Sequence, residues 1–537
     1  MLTWENAVMG RYFRKADSAD QGYLMPPDAR AWLPERHLAW ALLDLAAELD
    51  LSEFEARYRA DGQGRAAYDP AMMVTLVMYC YCKGIRSSRG IEMATFDDVG
   101  ARVICGNLHP DHATTARFAG RHEQELKGLL ASSVAACARE GLVSVDVVAG
   151  DGTKVKASAS MAANRTGTEL DAEIAALEAV IAAEVALWVE QHLAADAADA
   201  AAGGAGPQEA GAGRGGPGGA GRKRTADTLA RRRAAKERLD ADAAIRTEQA
   251  GDKLRAKAGH LAGRATAKEA EAGRLFAVAA AKAEEYAVRA AACPPGKKPG
   301  GAAPGAPEGN RDVRRVRAVA ARLRDKEAAA RADAAAAGPG KQLKVNLTDP
   351  GSRVMPLKKG GFDQLYNAQV IACKRQVILA IGTHDSPSDT GALHPLLVRA
   401  RAVLAAAGIT SPVRKALWDA GYASDANFTA ECEAELYVAI TRESRQAGRG
   451  TEGYAPAEMM ESWQQMAARL DTPDGKALYK QRAGIIEPVF AQLFARLGRH
   501  LNYRGGKTDL ELHLWAASHN LLKAISARHR AAVPAIA

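Results

Sequence analysis

The stretch Leu142–Gly150, LVSVDVVAG, followed by Asp151-Gly152-Thr153-Lys154, decides how this chain is read. Its β-branched residues and short length fit a buried strand better than a helix. The strand is expected to end at Asp151-Gly152, a dipeptide that in isolation usually marks only a turn. Asp146 is a second acidic residue in the same stretch. It lies inside the expected strand and, five residues away, points to the opposite face from Asp151.

Downstream of Gly340 the pattern alternates between strands and helices. Tyr366–Ala372 and Gln376–Gly382 are short apolar runs around a Cys373-Lys374-Arg375 turn, which predicts a hairpin. A helix is expected over Thr390–Ala407, a strand over Val413–Trp418 ending at Asp419, and another over Leu436–Ile440. The last long helix should begin near Gly484, with Ile486, Val489, Phe490, Leu493 and Leu497 on one face. Pro488 then falls in its first turn, where a missing N–H costs nothing. Glu487 rides on the same helix.

The order is thus a strand with Asp151, a hairpin, a helix, a strand with Asp419, a further strand, and a helix with Glu487. That order suits an α/β fold of the RNase H-like type, a mixed sheet flanked by helices. Neighbouring strands set two carboxylates side by side, and a helix across the sheet adds a third. Three carboxylates can hold two divalent cations about 4 Å apart, one for an attacking oxygen and one for the leaving oxygen of a phosphoryl transfer. Mg²⁺ suits such a site, because it needs few protein oxygens and keeps waters for exchange with phosphate.

Working outward to the N-terminus, residues 1–140 read as an all-helical region. Asp69-Pro70 opens a helix through MMVTLVMYCYC to Lys83-Gly84. Ser87 or Ser88 caps a second, and Asp111 caps a third running through Phe118 towards Cys137. Short helices with a Gly-containing turn are compatible with a helix-turn-helix DNA reader or with an ordinary bundle. Residues 141–165 carry the first strand and first acidic segment. From 166 to 340 the composition changes to Ala, Arg, Lys and Glu, interrupted by Gly/Pro-rich stretches near 203–221, 293–309 and 338–340. This predicts a long helical insertion with flexible linkers. Its basic runs, Arg222-Lys223-Arg224 and Arg231-Arg232-Arg233, read first as solvated helical faces. Residues 341–525 complete the α/β domain, and 526–537 form a tail.

Composition sets the outer limits. A chain of 537 residues holds roughly three units at about 150 residues per domain. The net charge of +9 favours a polyanionic partner, because Lys and Arg along phosphates displace condensed counterions. Seven scattered cysteines argue against a secreted disulfide framework. Cys80 and Cys82 lie in an apolar run without a second pair at zinc spacing, so core packing is the reading. The N-terminus MLTWENAVMGRYFRK lacks the apolar core of a signal peptide, and no stretch reaches the roughly 20 apolar residues of a membrane span. A cytoplasmic protein is expected.

Several separated segments, in order, resemble the bacterial insertion-sequence DDE transposases with an InsH-type N-terminal domain. Tyr68-Asp69-Pro70, Gly84–Arg89 and Pro110–Phe118 are similar to that N-terminal domain. Asp151–Lys154 with Lys156-Ala157 resembles the first catalytic segment. Leu347–Pro350 and Gly361–Gln369 resemble the start of the second block, and Asp419-Ala420-Gly421-Tyr422 the second catalytic segment. Tyr479, Arg482 and Glu487, with Pro488 and Phe490 behind them, look like the third; Arg504-Gly505 and Asn520-Leu521 look like the closing one.

The resemblance implies that Asp151, Asp419 and Glu487 are catalytic and bind metal, two Mg²⁺ ions with Mn²⁺ as substitute. It implies that Tyr479 and Arg482 contact DNA phosphates; Lys154, Arg117 and Arg504 are further candidate DNA-binding residues. The expected partner is double-stranded DNA, both the terminal inverted repeats of the chain's own element and a target, held by a homodimer or larger assembly. Two features depart from the family pattern: Arg482 precedes Glu487 by five residues, one more than in the best-known signature, and Phe494 stands where a basic residue often follows. The alternatives are a DNA-binding derivative without catalysis and a metal-dependent nuclease of the same fold.

Overall fold

The computed structural model describes residues 29–58, 67–201, 219–294, 296–339, 343–357, 360–384, 386–440 and 461–531. The N-terminal stretch 1–28, most of the interruption near 203–221, and residues 532–537 of the tail lie outside them. The chain divides into two units, one of Met1–Ser158 with Met355–Ala537 and one of Ala159–Val354.

The first unit opens with α1 (Leu38–Ala47), α2 (Ser52–Glu55), α3 (Pro70–Cys82), α4 (Ser88–Asp97), α5 (Val99–Cys105), α6 (His112–Arg121) and α7 (Glu123–Arg139). The caps fall where local chemistry puts them. Asp69 accepts from the Ala71 N–H ahead of α3, Ser87 from Gly90 ahead of α4, and Asp111 from Thr114 ahead of α6. Met73 to Cys82 of α3 are all buried, and burial pushes the Cys82 thiol up to about 12. Cys80 and Cys82 are free thiols packed in the core. The helix expected to continue to Cys137 is two helices. His122 leaves helical geometry between them, its ring against Phe54, Tyr58 and Phe118.

β1 (Val147–Lys156) starts and ends later than the sequence suggests. Asp151 therefore lies inside the strand, not at its end. The reason is long-range pairing, described below, which carries the ladder through both glycines. Asp146 precedes the strand and is exposed, with Arg414 3.7 Å away.

The second unit contains β2 (Asn164–Thr166), α8 (Gly167–Ala201), α9 (Gly219–Ala291), α10 (Arg311–Ala335) and β3 (Lys344–Asn346). At 73 residues, α9 is about 110 Å long for a rise of 1.5 Å per residue. Leu170 of α8 packs with Ala235 and Leu239 of α9 and with Val345. Further along α9, Ala258, Leu261 and Ala265 pack with Leu323 and Ala330 of α10. In the second basic run, Arg232 pairs with Glu173 and Arg233 with Glu178, so these charges hold α9 to α8. β2 and β3 pair antiparallel, joining the two ends of the unit.

The chain then forms β4 (Arg353–Pro356), β5 (Phe362–Cys373), β6 (Ile378–His384), α11 (Leu393–Ala406), β7 (Lys415–Trp418), α12 (Asp425–Thr429) and β8 (Glu435–Val438). It closes with α13 (Glu461–Asp471), α14 (Pro473–Tyr479), α15 (Gln481–Leu497) and α16 (Lys507–Ala531). A six-stranded mixed sheet runs β4-β5-β1-β7-β8, with β6 also on β5. β5 and β6 form the expected hairpin. β5 pairs antiparallel with β1 from Val148↔Cys373 to Lys156↔Leu365, while β7 lies parallel to β1 and β8 parallel to β7. α11 and α16 pack on β6, and α15 lies across β1 and β5. Asn520 of α16 both donates to and accepts from the backbone of Ile378 in β6, at 2.9 and 2.8 Å.

α15 begins at Gln481, so Pro488 sits inside the helix and not in its first turn. A proline there withholds a donor from the carbonyl four residues back. That carbonyl, of Gly484, accepts instead from Gln376 Nε2 at 3.2 Å. Gln376 occupies the hairpin turn at φ 61, and its carbonyl accepts from His519 Nε2 at 2.8 Å. Among the described residues, no helix is long and apolar enough to cross a membrane.

Candidate functional site

The register of the sheet brings two acidic side chains level. β1 and β7 run parallel with Val147↔Lys415 and Ala149↔Leu417 as partners, and the same offset sets Asp419, just past β7, beside Asp151. Each carboxylate is fixed by a nearby backbone N–H: Asp151 Oδ1 accepts from Gly152 within the strand at 2.8 Å, and Asp419 Oδ1 from Gly421 in the turn after β7 at 2.9 Å.

The glycines around Asp151 make room for what lies beneath. A Cβ at Gly150 would stand 2.1 Å from the Trp418 ring, and one at Gly152 2.4 Å from Gln369 Nε2. Trp418 is fully buried and packs against Tyr422, 4.7 Å between centroids.

Arg482, in the first turn of α15, joins the pair. Its Nη2 is 3.0 Å from Asp151 Oδ2 and 3.9 Å from Asp419 Oδ2, with only 12% of the side chain exposed. The contact is one of charge. Neither Nε nor Nη2 has a hydrogen-bond acceptor in line, so two buried donors of this guanidinium are unsatisfied. Burial holds the Asp151 carboxyl above the usual range; Arg482 opposes this, and the negative charges of Asp419 and Asp389 reinforce it.

Asp389, which the sequence reading passed over, belongs to the same group. Its Oδ1 accepts from Asn367 Nδ2 and Gln369 Nε2, both at 2.7 Å, and lies 3.7 Å from Lys154 Nζ. Asn367 and Gln369 are buried on β5, opposite Lys154 and Gly152. Tyr422 donates its hydroxyl to Gln369 Oε1. The only sequence signal was indirect: Asn367 and Gln369 stand in the quoted segment Tyr366-Asn367-Ala368-Gln369, and two buried amides need a polar partner.

The other predicted residues are placed as follows. Tyr479 is partly buried and donates its hydroxyl to the Trp418 carbonyl at 3.2 Å, which seats α14 against the end of β7. Lys154 donates to the Pro387 carbonyl at 2.8 Å. Arg504 Nε donates to the Ser158 carbonyl at 2.6 Å, and Arg117, exposed on α6, donates to Thr114 Oγ1 at 3.1 Å; neither contacts Asp151 or Asp419. Glu487 is exposed on α15, and among the described residues no three His, Cys, Asp or Glu side chains form a metal-holding group. The structure therefore brings together Asp151, Asp419 and Arg482, adds Asp389, and leaves Glu487 outside the cluster.

Two stretches of the chain match family models. Residues 27–121 match a transposase domain (DUF772), and residues 441–525 match a transposase DDE domain. These matches support an insertion-sequence DDE transposase. Comparison with curated proteins and with solved structures gave no significant match. Tyr479, Arg482 and Glu487 fall within the matched DDE stretch, while Asp151, Asp389 and Asp419 fall outside both.

The donor chemistry fits a hard divalent cation. Asp151 and Asp419 present carboxylate oxygens side by side, and the buried charge of Asp151 is only partly compensated by Arg482. One or two carboxylates with water and substrate phosphate make a typical Mg²⁺ environment.

Proposed function

We propose that the chain cuts DNA at the inverted repeats ending its own element and joins the freed 3′ hydroxyls to target DNA. The observation that carries this reading is the convergence of Asp151 and Asp419 on the Nη2 of one buried guanidinium whose Nε and Nη2 make no hydrogen bond. Asp151 and Asp419 are the metal-holding carboxylates. Glu487, exposed on α15 and outside their cluster, is the third member on the strength of the family segment around Tyr479 and Arg482 alone. Bound Mg²⁺, or Mn²⁺ in its place, two ions per site, supplies activation of the attacking oxygen and neutralises charge on the leaving one.

The chain's own residues then bind and orient the DNA. Arg482 offers a forked donor pair to a phosphate beside the cut, a task its unsatisfied N–H groups suit. Tyr479, fixed against Trp418, sets the start of α15 and hence the approach of that guanidinium. Lys154, Arg117 and Arg504 add positive charge along the DNA. The mixed sheet with α15 across β1 and β5 suits an RNase H-like catalytic domain, and two element ends call for at least a dimer on DNA.

The test is a Mg²⁺- or Mn²⁺-dependent cleavage and strand-transfer assay on DNA carrying the element's ends. Asp151→Asn, Asp419→Asn and Glu487→Gln should each abolish both products while end binding survives. Full activity in the Asp151 or Asp419 variant would overturn the assignment. Cleavage without joined product would identify a nuclease, and end binding without cleavage in the unmodified chain a non-catalytic derivative.

A further inference from the structure

Asp389 reaches both acid-bearing segments at the same kind of point. Each acid is followed closely by a glycine: Gly152 leaves no room for a side chain beside this carboxylate, and a Cβ on Gly421 would come into van der Waals contact with it. A Cβ on Gly152 would stand 2.8 Å from Asp389 Oδ1, and a Cβ on Gly421 would stand 3.4 Å from Asp389 Oδ2. Asp389 is thus wedged between the backbone after Asp151 on β1 and the backbone after Asp419 beyond β7. Its two oxygens face one segment each.

The carboxylate itself is tightly held. Asn367 and Gln369 donate to Oδ1, and Gln369 Nε2 donates also to Asn367 Oδ1 at 2.9 Å, so the two amides brace one another. Asn367 Nδ2 reaches the Ser386 carbonyl at 3.0 Å, and Lys154 Nζ reaches the Pro387 carbonyl. On the far side, the Ala392 N–H donates to the Asp389 carbonyl and Asn427 Nδ2 to the Thr390 carbonyl, at 3.0 and 2.7 Å. The short segment between β6 and α11 is therefore pinned from β5, β1 and α12. A carboxylate braced in this way is a fixed spacer, and the position of each acid depends on where that spacer ends.

We propose that Asp389 is a positioning residue that sets the separation of Asp151 and Asp419, acting by its shape and hydrogen bonds more than by its charge. The inference rests on the reading of Asp151 and Asp419 as metal-holding carboxylates. Outer groups that orient metal ligands typically cost about 10–100-fold in affinity when changed. Two substitutions separate position from charge. Asp389→Asn keeps the outline and an oxygen able to accept from Asn367 and Gln369. Asp389→Glu keeps the charge but adds a methylene to a carboxylate already packed tightly against Gly152.

The experiment is Mn²⁺ titration of the full chain without DNA, followed by calorimetry, beside an Asp151→Asn/Asp419→Asn control and a thermal melt of each variant. Asp389→Glu is expected to bind Mn²⁺ at least about tenfold more weakly, and Asp389→Asn to remain within about threefold of the unmodified chain. Equal affinity in Asp389→Glu and the unmodified chain, with the control silent, overturns the inference alone. Equal loss in both Asp389 variants makes the charge as important as the shape and also overturns it. Undiminished Mn²⁺ binding by the control overturns the underlying metal reading instead. If Asp389→Glu does not fold, Gly152→Ala makes the same intrusion from the other side and is expected to show the same loss.

Discussion

Gln376 donates through Nε2 to the carbonyl of Gly484, the carbonyl that Pro488 leaves without a donor in α15. A side chain in a hairpin turn thus completes a helix more than a hundred residues downstream, three residues short of Glu487. Gln376→Ala should destabilise the protein by about 1 kcal/mol, the net worth of such a hydrogen bond. In a Pro488→Ala background, residue 488 regains its N–H and the same substitution should cost less, leaving only the loss of the bonds from Gln492 and Lys523 to Gln376 Oε1. A double-mutant cycle in urea checks this, and additive costs would refute the coupling.

Gly150 and Trp418 share one space. Gly150→Ala should cost roughly 1–3 kcal/mol, the usual range for overpacking a filled core, because the ring has no room to retreat. Trp418→Leu should be destabilising on its own, yet should reduce the cost of Gly150→Ala when the two are combined. Equilibrium unfolding of the four proteins measures the interaction, and a strictly additive result would show that the ring is not the obstacle.

Arg482 is the positive charge now compensating Asp151 and Asp419. Arg482→Gln should lower thermal stability in chelator, because two neighbouring carboxylates lose their cation; breaking a buried pair costs about 3–5 kcal/mol, and this partly exposed one less. Addition of Mn²⁺ should then raise the Tm of the variant more than that of the unmodified chain. An unchanged Mn²⁺-induced shift would mean that guanidinium and metal do not share the carboxylates.

His519 is buried, which lowers its pKa from 6.5 to about 4, while its Nε2 donates to the Gln376 carbonyl. The unfolded chain binds a proton at this residue before the folded one does. Its contribution is therefore fully present above pH 6.5 and is lost as pH falls from 6.5 towards 4. The difference corresponds to up to about 3 kcal/mol. His519→Gln, which retains a donor, should flatten the stability profile between those pH values in chemical denaturation. A profile as steep as that of the unmodified chain would assign the acid sensitivity to other groups.

What could be read from the sequence was largely local. Asp69, Ser87 and Asp111 cap helices by contacting N–H groups two or three residues ahead, so their role is written within a few positions. The strand before Asp419 and the Ile486-Val489-Leu493-Leu497 face of α15 follow from periodicity. The errors arose where distant partners decide. Gly152 reads as a turn, yet pairing with Gln369 keeps it in the strand. Gly484 and Pro488 read as a helix start, yet Gln376 sustains the helix through both. Asp389 was illegible because the amides that hold it lie on another strand, and its neighbours in sequence carry no matching pattern.

The Ala159–Val354 unit also bears on the order of assembly. It separates β1 from β5, two strands that are adjacent in the sheet, by about two hundred residues of chain. Such non-local pairing is slow, because ordering of the ends must precede any reward, and each doubling of a loop adds about 0.6 kcal/mol to closing it. The β2–β3 ladder clasps the two ends of the unit, so the loop between β1 and β5 is effectively shorter wherever that ladder has formed. The kinetics of forming the acidic pair therefore depend on a region that supplies none of its carboxylates. A nascent chain can complete the pair only after the whole helical arm has left the ribosome.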